Sequence, residues 1–277
     1  MFARVICMVA MLVGNVAADE WDVKHLGFSG IPIQGNDDLM KRLGFEKLPV
    51  KKGILVAVVN PDTPTAAGGL LPLAIVSAIN RKPVGSQADA AEVLSSLELG
   101  ADVLLAGHTL RNNVWKPGTV KTKVMTHRQV LKSSMERAAD AISGVERYSH
   151  KFEAKGEPKT VELYVLTLPG RGPQLRAEAT WVDDDWLFLE SLTLANEQAR
   201  DSVKFTRGTG EDRAKGGLVL ERKTAEVTAE FGALLVRSGT TVRMVGSKSI
   251  FDHSPSLAEV WSNRDVLDFY RMMSAKP

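Results

Sequence analysis

Short apolar runs separated by turn residues dominate the first half of the chain. Residues 53–59, Gly-Ile-Leu-Val-Ala-Val-Val, form a glycine-entered run typical of a buried strand. Residues 60–64, Asn-Pro-Asp-Thr-Pro, predict a turn, and residues 75–80 predict a second strand. Ser86 and Asp89 form a capping box with Asp in place of the commoner Glu, so a helix should extend to about residue 97. Two final strands are expected over residues 101–110 and 113–124.

An apolar stripe at helical spacing follows over residues 127–145. Gly144 lies near its end and is a stop signal. The segment therefore predicts a helix that either links two domains or begins the second one. The apolar positions of the stripe are Val130, Leu131, Met135, Ala138, Ala139, Ile142 and Val145.

From residue 146 onward the pattern is that of strands. Residues 174–182 alternate between apolar and polar positions, as a half-buried strand does. The three aspartates 183–185 predict a turn, after which residues 186–194 should pair back as a hairpin. Residues 224–238 fit either a strand or a helix that Gly239 ends. Other predicted elements are strands over residues 160–168 and 240–246 and a C-terminal helix that begins at Ser254 and Pro255 and extends to about residue 273.

Residues 1–18 have the features of a secretory signal peptide. Arg4 precedes an apolar stretch, and Val16, Ala17 and Ala18 supply a cleavage site of small residues. The stretch is shorter than the roughly 20 residues that a membrane-spanning helix needs. We expect cleavage after Ala18 and a mature protein that is extracytoplasmic, either periplasmic or secreted, with no stable membrane anchor. The predicted layout is a signal peptide (1–18), a first domain (19–124), a linker helix (125–145) and a second domain (146–277).

Composition and charge exclude several classes of function. Apolar residues make up 44% of the chain and charged residues 25%, which favours packed domains over disorder. The net charge of +2 is too small and too evenly spread for a nucleic-acid partner, which requires a concentrated basic face. The only cysteine, Cys7, lies inside the signal peptide, so the mature chain is expected to have neither disulfides nor thiol chemistry.

The order of motifs over residues 21–124 resembles a bacterial, circularly permuted PDZ domain of the kind found in periplasmic serine proteases. The matching segments are His25-Leu26-Gly27-Phe28, residues 53–59 with Pro61 and Pro64, Ala66-Ala67-Gly68-Gly69-Leu70, and residues 78–84. Leu73 and Ala74 stand where the family usually has Gly-Asp, which affects a turn rather than the ligand. The expected fold class is therefore α+β: a PDZ-like, partly open β-barrel or sandwich with a flanking helix, followed by an antiparallel β-rich domain with helices.

This resemblance implies a peptide-binding site made mainly of backbone groups. The N–H groups of Leu26, Gly27 and Phe28 would bind the C-terminal carboxylate of a ligand, and Lys24 would add attraction. The peptide would then extend the sheet along residues 28–31, with Phe28 and Gly30 pairing to it. One face of the predicted helix, formed by Gln87, Ala91 and Leu94, would complete the pocket. The expected partner is a C-terminal or extended peptide of an envelope or secreted protein. The alternative is a PDZ-like fold that binds nothing because the second domain fills its groove.

No catalytic constellation is recognisable, so the sequence predicts a non-catalytic adaptor without cofactor or metal. Ser29 is the nearest candidate nucleophile, but Ile31 stands in place of the last glycine of G-x-S-x-G. Residues 146–277 resemble, more loosely, a β-rich domain of unknown function in bacterial exported proteins. The rival hypothesis is an extracytoplasmic hydrolase with its site in that region, for which a cluster of Glu190, Asp252 and His253 would be the evidence.

Overall fold

The computed structural model describes residues 21–42, 45, 47–151, 159–206, 210–215, 218–237 and 239–275. The predicted signal peptide, with its cleavage point after Ala18, lies outside these residues. The fold is of the α+β class and rich in antiparallel sheet. The chain divides after Ser134 into two compact units, which we call unit 1 (residues 1–134) and unit 2 (residues 135–276).

Unit 1 is built on a sheet with the strand order β2-β3-β4-β6-β7, to which β5 is attached through β4, and a separate pair β1-β8. Its elements are β1 (Lys24–His25), β2 (Phe28–Pro32), α1 (Asp37–Arg42), β3 (Ile54–Val59), α2 (Pro64–Ala67), β4 (Ile75–Ile79), β5 (Lys82–Pro83), α3 (Gln87–Ser95), β6 (Asp102–Arg111), β7 (Val114–Lys123), β8 (Met125–Thr126) and α4 (His127–Ser134). The strands predicted near residues 53–59, 75–80, 101–110 and 113–124 are confirmed.

Both faces of this sheet are covered, which explains the uninterrupted apolar run of β3. Ile54 and Val56 pack into one buried cluster, to which α3 contributes Val93 and Leu94. Leu55, between them, points into a second cluster on the opposite face with Ile33, Met40 and Ile75. A strand buried on both faces needs apolar residues at every position rather than at alternate ones.

Helix α3 begins as the capping box predicts. The Ser86 hydroxyl accepts the Asp89 N–H at 3.1 Å, and the Asp89 carboxylate accepts the Gly85 N–H at 2.8 Å. The Gly85 N–H and the Ser86 hydroxyl both lower the pKa of Asp89. At the other end of the helix, the Lys24 ammonium binds the carbonyls of Ser95 and Leu97. Lys24 therefore caps α3, a role that was not predicted from the sequence.

The predicted linker helix over residues 125–145 is wrong beyond Ser134. Met135–Ala139 instead form a strand that pairs with Glu146–His150. The turn between them requires the positive φ of Gly144, whose N–H donates to the Asp140 carbonyl at 2.8 Å. The apolar stripe was misleading because Ile142 is 98% exposed and contributes to no buried face.

Unit 2 contains two antiparallel sheets, with the strand orders β15-β16-β12-β11-β10-β9 and β14-β13-β17-β18. Its elements are β9 (Met135–Ala139), β10 (Glu146–His150), β11 (Lys159–Thr167), β12 (Gln174–Asp183), β13 (Leu189–Ala195), β14 (Arg200–Lys204), β15 (Gly210–Lys215), β16 (Leu218–Glu226), α5 (Ala229–Leu235), β17 (Thr241–Gly246), β18 (Ile250–His253) and α6 (Leu257–Ser274). The ambiguous segment 224–238 contains both a strand end and a helix. The C-terminal helix is capped by Ser256 with Glu259, two residues after the predicted cap.

Helix α6 is tied to the six-stranded sheet by a buried asparagine. The Asn263 side chain accepts the Leu163 N–H at 2.7 Å and donates to the Val161 carbonyl at 2.8 Å. Helix α5 also packs closely, because a side chain added at Gly232 would meet Leu175 and Leu267 at 3.1 Å. These contacts place both helices against the core of unit 2.

The hairpin predicted from residues 174–194 does not form. β12 pairs with β11 and β16, whereas β13 pairs with β14 and β17 in the other sheet. The segment after the three aspartates therefore carries the chain from one sheet to the other. Alternation predicted the strands correctly, but it contains no information about which strands pair.

Candidate functional site

Strand β2 is an edge strand of the sheet in unit 1. It pairs with β3 on one side, and within the described residues no strand pairs with its other side. An unpaired edge offers a row of N–H and C=O groups to an added strand. The predicted peptide-docking segment is therefore at a position where a further strand can be added.

The hydrogen bonds of β3 show which groups of β2 point to this open edge. Val56 lies opposite Gly30. On the side that faces away from β2, its N–H donates to the Ala74 carbonyl and its carbonyl accepts the Leu73 N–H, both at 2.8 Å. Gly30 is thus not bonded to Val56, and its own groups point outward. The Gly27 carbonyl accepts the Asn60 N–H at 2.9 Å and therefore points away from the open edge. By the same alternation, the main-chain N–H and C=O of the next residue, Phe28, point to the open edge.

The open edge ends at Pro32. Proline has no N–H to donate, and the Pro32 carbonyl accepts the Asn36 side-chain amide at 2.7 Å. Asn36 is a residue that sequence reasoning missed, although its position four residues after the strand could have indicated a local side-chain bond. The groups of β2 that point to the open edge are therefore those of Phe28, which is half-buried, and Gly30, which is buried.

Gly27 adopts a positive φ of 75°, as the predicted loop requires. A side chain there would also meet the Thr63 hydroxyl at 2.8 Å. The Gly27 N–H, however, donates to Nδ1 of His25 at 2.9 Å. One of the three donors predicted for a ligand carboxylate thus already has an internal partner, and a carboxylate that used it would have to displace the imidazole.

The predicted pocket residues have three different environments. Leu26 and Leu94 are 3% and 7% exposed and belong to the core, and the half-buried Phe28 packs against the same cluster. Gln87 and Ala91 are exposed on α3. Gly30 is a glycine for a packing reason, because a side chain there would lie 2.4 Å from the Leu55 carbonyl oxygen. Leu26, Phe28 and Leu94 thus share one cluster, whereas Gln87 and Ala91 face solvent.

Two of the three side chains named for the rival hydrolase, Asp252 and His253, have separate partners, and the third, Glu190, is exposed. Asp252 forms a two-point ion pair with Arg243 at 2.6 and 2.7 Å, which lowers the pKa of Asp252. His253 contacts the buried Glu259 at 3.0 Å. Burial raises the pKa of Glu259, but hydrogen bonds from His253 and from the Ser256 N–H outweigh it, so the net shift is downward. Adjacent residues of a strand face opposite sides, which explains why Asp252 and His253 do not act together.

Two of the three aspartates 183–185 are held by lysines. Asp183 contacts Lys159 at 2.6 Å and Asp185 contacts Lys248 at 2.9 Å. Among the described residues, no three His, Cys, Asp or Glu side chains are grouped as a metal site would require. In the same part of the chain, no helix combines the length and the hydropathy needed to cross a membrane.

Comparisons with known proteins give one distant relationship. No protein-family model matches the chain. The chain is 31% identical over 145 residues to a protein of Pseudomonas fluorescens strain Pf-5 described as a probable periplasmic serine endoprotease, DegP-like. The alignment covers 52% of this chain and 28% of that protein. The similarity supports a loose relationship to periplasmic proteases. It contradicts the expectation that the chain is not an enzyme, since the relative found is a protease.

Proposed function

We propose that unit 1 is a PDZ-like module that binds the C-terminus of a peptide or protein by adding it as a strand to β2. The observation that carries this proposal is the open edge of β2, with the groups of Phe28 and Gly30 pointing outward. The proposed compartment is extracytoplasmic, in keeping with the periplasmic relative. The natural partner is then an envelope or secreted protein with an exposed C-terminus.

The ligand is bound mainly by main-chain groups. Its last residue pairs with Phe28 and the residue two places earlier pairs with Gly30, because ladder bonds recur at every second residue. Its terminal carboxylate lies at the loop of Leu26 and Gly27, and the last side chain contacts Phe28 and the exposed face of α3 that carries Gln87 and Ala91. Since the ladder ends at Pro32, recognition is dominated by the last three or four residues.

The test uses labelled eight-residue peptides that end in an apolar residue, with a free carboxylate or a C-terminal amide. Phe28→Asp should weaken binding of the free acids by about 2 kcal/mol or more, the effect of losing an anchor residue. Val114→Asp is the matched control, because Val114 is 56% exposed on β7, at the other edge of the same sheet. Equal affinity of Phe28→Asp and the control would show that β2 is not the binding edge.

A gain-of-function variant keeps the test independent of any folding defect in Phe28→Asp. Pro32→Ala restores one N–H at the end of the open edge, which should add about 1 kcal/mol for ligands that reach it. Peptides of six to eight residues should gain affinity in this variant while three-residue peptides do not. A gain that is equal for all lengths would contradict the register.

A further inference from the structure

A cleft of about 700 Å³ lies in unit 2, beside the segment that connects the two sheets. Ligand sites of small molecules typically have this size and combine apolar walls with a few polar groups. The lining comes from the connecting segment, β13, β14 with the residues that follow it, β16, and the residue after β17.

Phe188 in this segment has an unusual backbone conformation. Its φ is +54°, in the left-handed region that a bulky residue rarely adopts, and its side chain is 47% exposed. Strain of this kind persists only where the surrounding structure fixes it, and it is concentrated at ligand sites.

A buried carboxylate fixes the strained segment. Glu221 is 1% exposed and accepts the consecutive N–H groups of Leu187, Phe188 and Leu189, the last two at 2.8 Å. Gly246 allows the same segment to pass close by, since a side chain there would lie 2.0 Å from the Leu187 carbonyl oxygen. The conformation that exposes Phe188 is therefore fixed by the hydrogen bonds to Glu221 and by the close packing of Leu187 against Gly246.

The segment displays a pair of aromatic rings. Trp186 and Phe188 are stacked, with ring centroids 6.0 Å apart and an angle of 21° between their planes. The Lys248 ammonium lies 5.1 Å from the Phe188 centroid and is tied to Asp185, which steadies the Phe188 ring. Phe205 adds a third aromatic side chain to the lining.

The polar groups of the lining are balanced in charge. Two lysines, Lys204 and Lys223, stand against two glutamates, Glu190 and Glu221, and hydroxyl groups are present at Ser191 and Ser247. Such a set favours neither a strongly anionic nor a strongly cationic ligand. It offers hydrogen-bond donors and acceptors around an aromatic surface. That combination suits a molecule with a flat apolar face and a polar rim.

We propose that this cleft binds a neutral saccharide. A sugar ring has an apolar C–H face that packs against the exposed part of the Trp186–Phe188 pair, and its hydroxyl groups reach Glu190, Lys204 and the serines. The inference rests on unit 2 alone and is independent of peptide binding by unit 1.

The test measures the binding of chitotriose and cellotriose to the full chain by calorimetry and by tryptophan fluorescence, with Phe188→Gly as the key variant. Glycine accepts the positive φ without strain, so the melting temperature should stay equal or rise while the ring is lost. Affinity for the sugar should fall about tenfold, the effect expected of one stacked ring. Ile142→Gly is the control, since Ile142 is 98% exposed in a turn of unit 2 and is not part of the lining.

Three outcomes would overturn the proposal. The first is that neither sugar binds the unmodified chain. The second is that Phe188→Gly binds the sugar as tightly as Ile142→Gly does. The third is that Phe188→Gly melts at a lower temperature than the unmodified chain, because the ring would then serve folding. An aromatic-rich peptide should compete poorly with the sugar, and binding of such a peptide alone would assign the cleft to a different class of ligand.

Discussion

Two segments, one in each unit, use left-handed backbone in different ways. In unit 1 the predicted carboxylate loop has its positive φ at a glycine, Gly27, which adopts it without strain. In unit 2 the segment beside the cleft has its positive φ at Phe188, a residue that must be forced into it. The first solution places no strain on the backbone. The second needs a buried carboxylate that accepts three N–H groups.

This difference decides what each region can tolerate. Gly27 leaves its loop without a side chain, so the function proposed for it depends on main-chain groups. Phe188 presents a ring, so the function proposed for it depends on a side chain that Glu221 keeps exposed. The contrast predicts that unit 2 is most sensitive at the clamp and unit 1 at the glycine.

Glu221→Ala should have the largest effect. It leaves three N–H groups of residues 187–189 without their acceptor in a buried place, which should lower the free energy of unfolding by about 3 kcal/mol. Urea unfolding monitored by tryptophan fluorescence measures this. Glu226→Ala is the matched control, because Glu226 is exposed on the same strand. If Glu221 holds the segment, the urea midpoint of Glu221→Ala should be lower than that of Glu226→Ala. Equal midpoints would mean that Phe188 is held by other contacts.

Gly27→Ala should have the next largest effect. A left-handed alanine costs about 1–2 kcal/mol, and the contact with Thr63 adds to it. Gly69→Ala isolates the two causes, since Gly69 has a similar φ of +84° and no neighbouring atom within 4 Å of an added side chain. Thermal unfolding should therefore rank unmodified chain, Gly69→Ala and Gly27→Ala in falling order. Equal melting temperatures of the two variants would show that the close approach to Thr63 is unimportant.

The smallest effect should come from the ion pair at the start of the connecting segment. The hydrogen bond from Lys159 and then that from the Asp184 N–H lower the pKa of Asp183 to about 2. A lowered pKa in the folded state means that the contribution to stability is complete above pH 4. It is lost as the pH falls towards 2. Denaturant midpoints of the unmodified chain and Asp183→Asn should thus converge over this window. A constant difference would assign the effect of the variant to packing.

Sequence reasoning predicted the strands of unit 1 well because a strand covered on both faces, such as β3, is an uninterrupted apolar run that is easily recognised. It was misled at residues 135–145, where apolar residues fall at helical spacing although the chain forms a hairpin turn at Gly144. It also predicted a hairpin after the three aspartates, because alternation indicates a strand but not its partner. The loop glycine Gly27 was predicted, whereas its bond to His25 was not, since a side chain two residues away can adopt many orientations.

The sequence by itself determined the local preferences of this protein: the buried run of β3, the cap of α3 at Ser86, and a glycine where the loop before β2 turns left-handed. These follow from the period of apolar residues and from backbone sterics within a few positions. Only the tertiary structure decided that the side of β2 away from β3 is an open edge of the sheet, and that Glu221 binds the backbone of Phe188 from 33 positions away in the chain. Both depend on which segments become neighbours in space. The free energy of those contacts is shared among residues far apart in the sequence, and no local pattern records it.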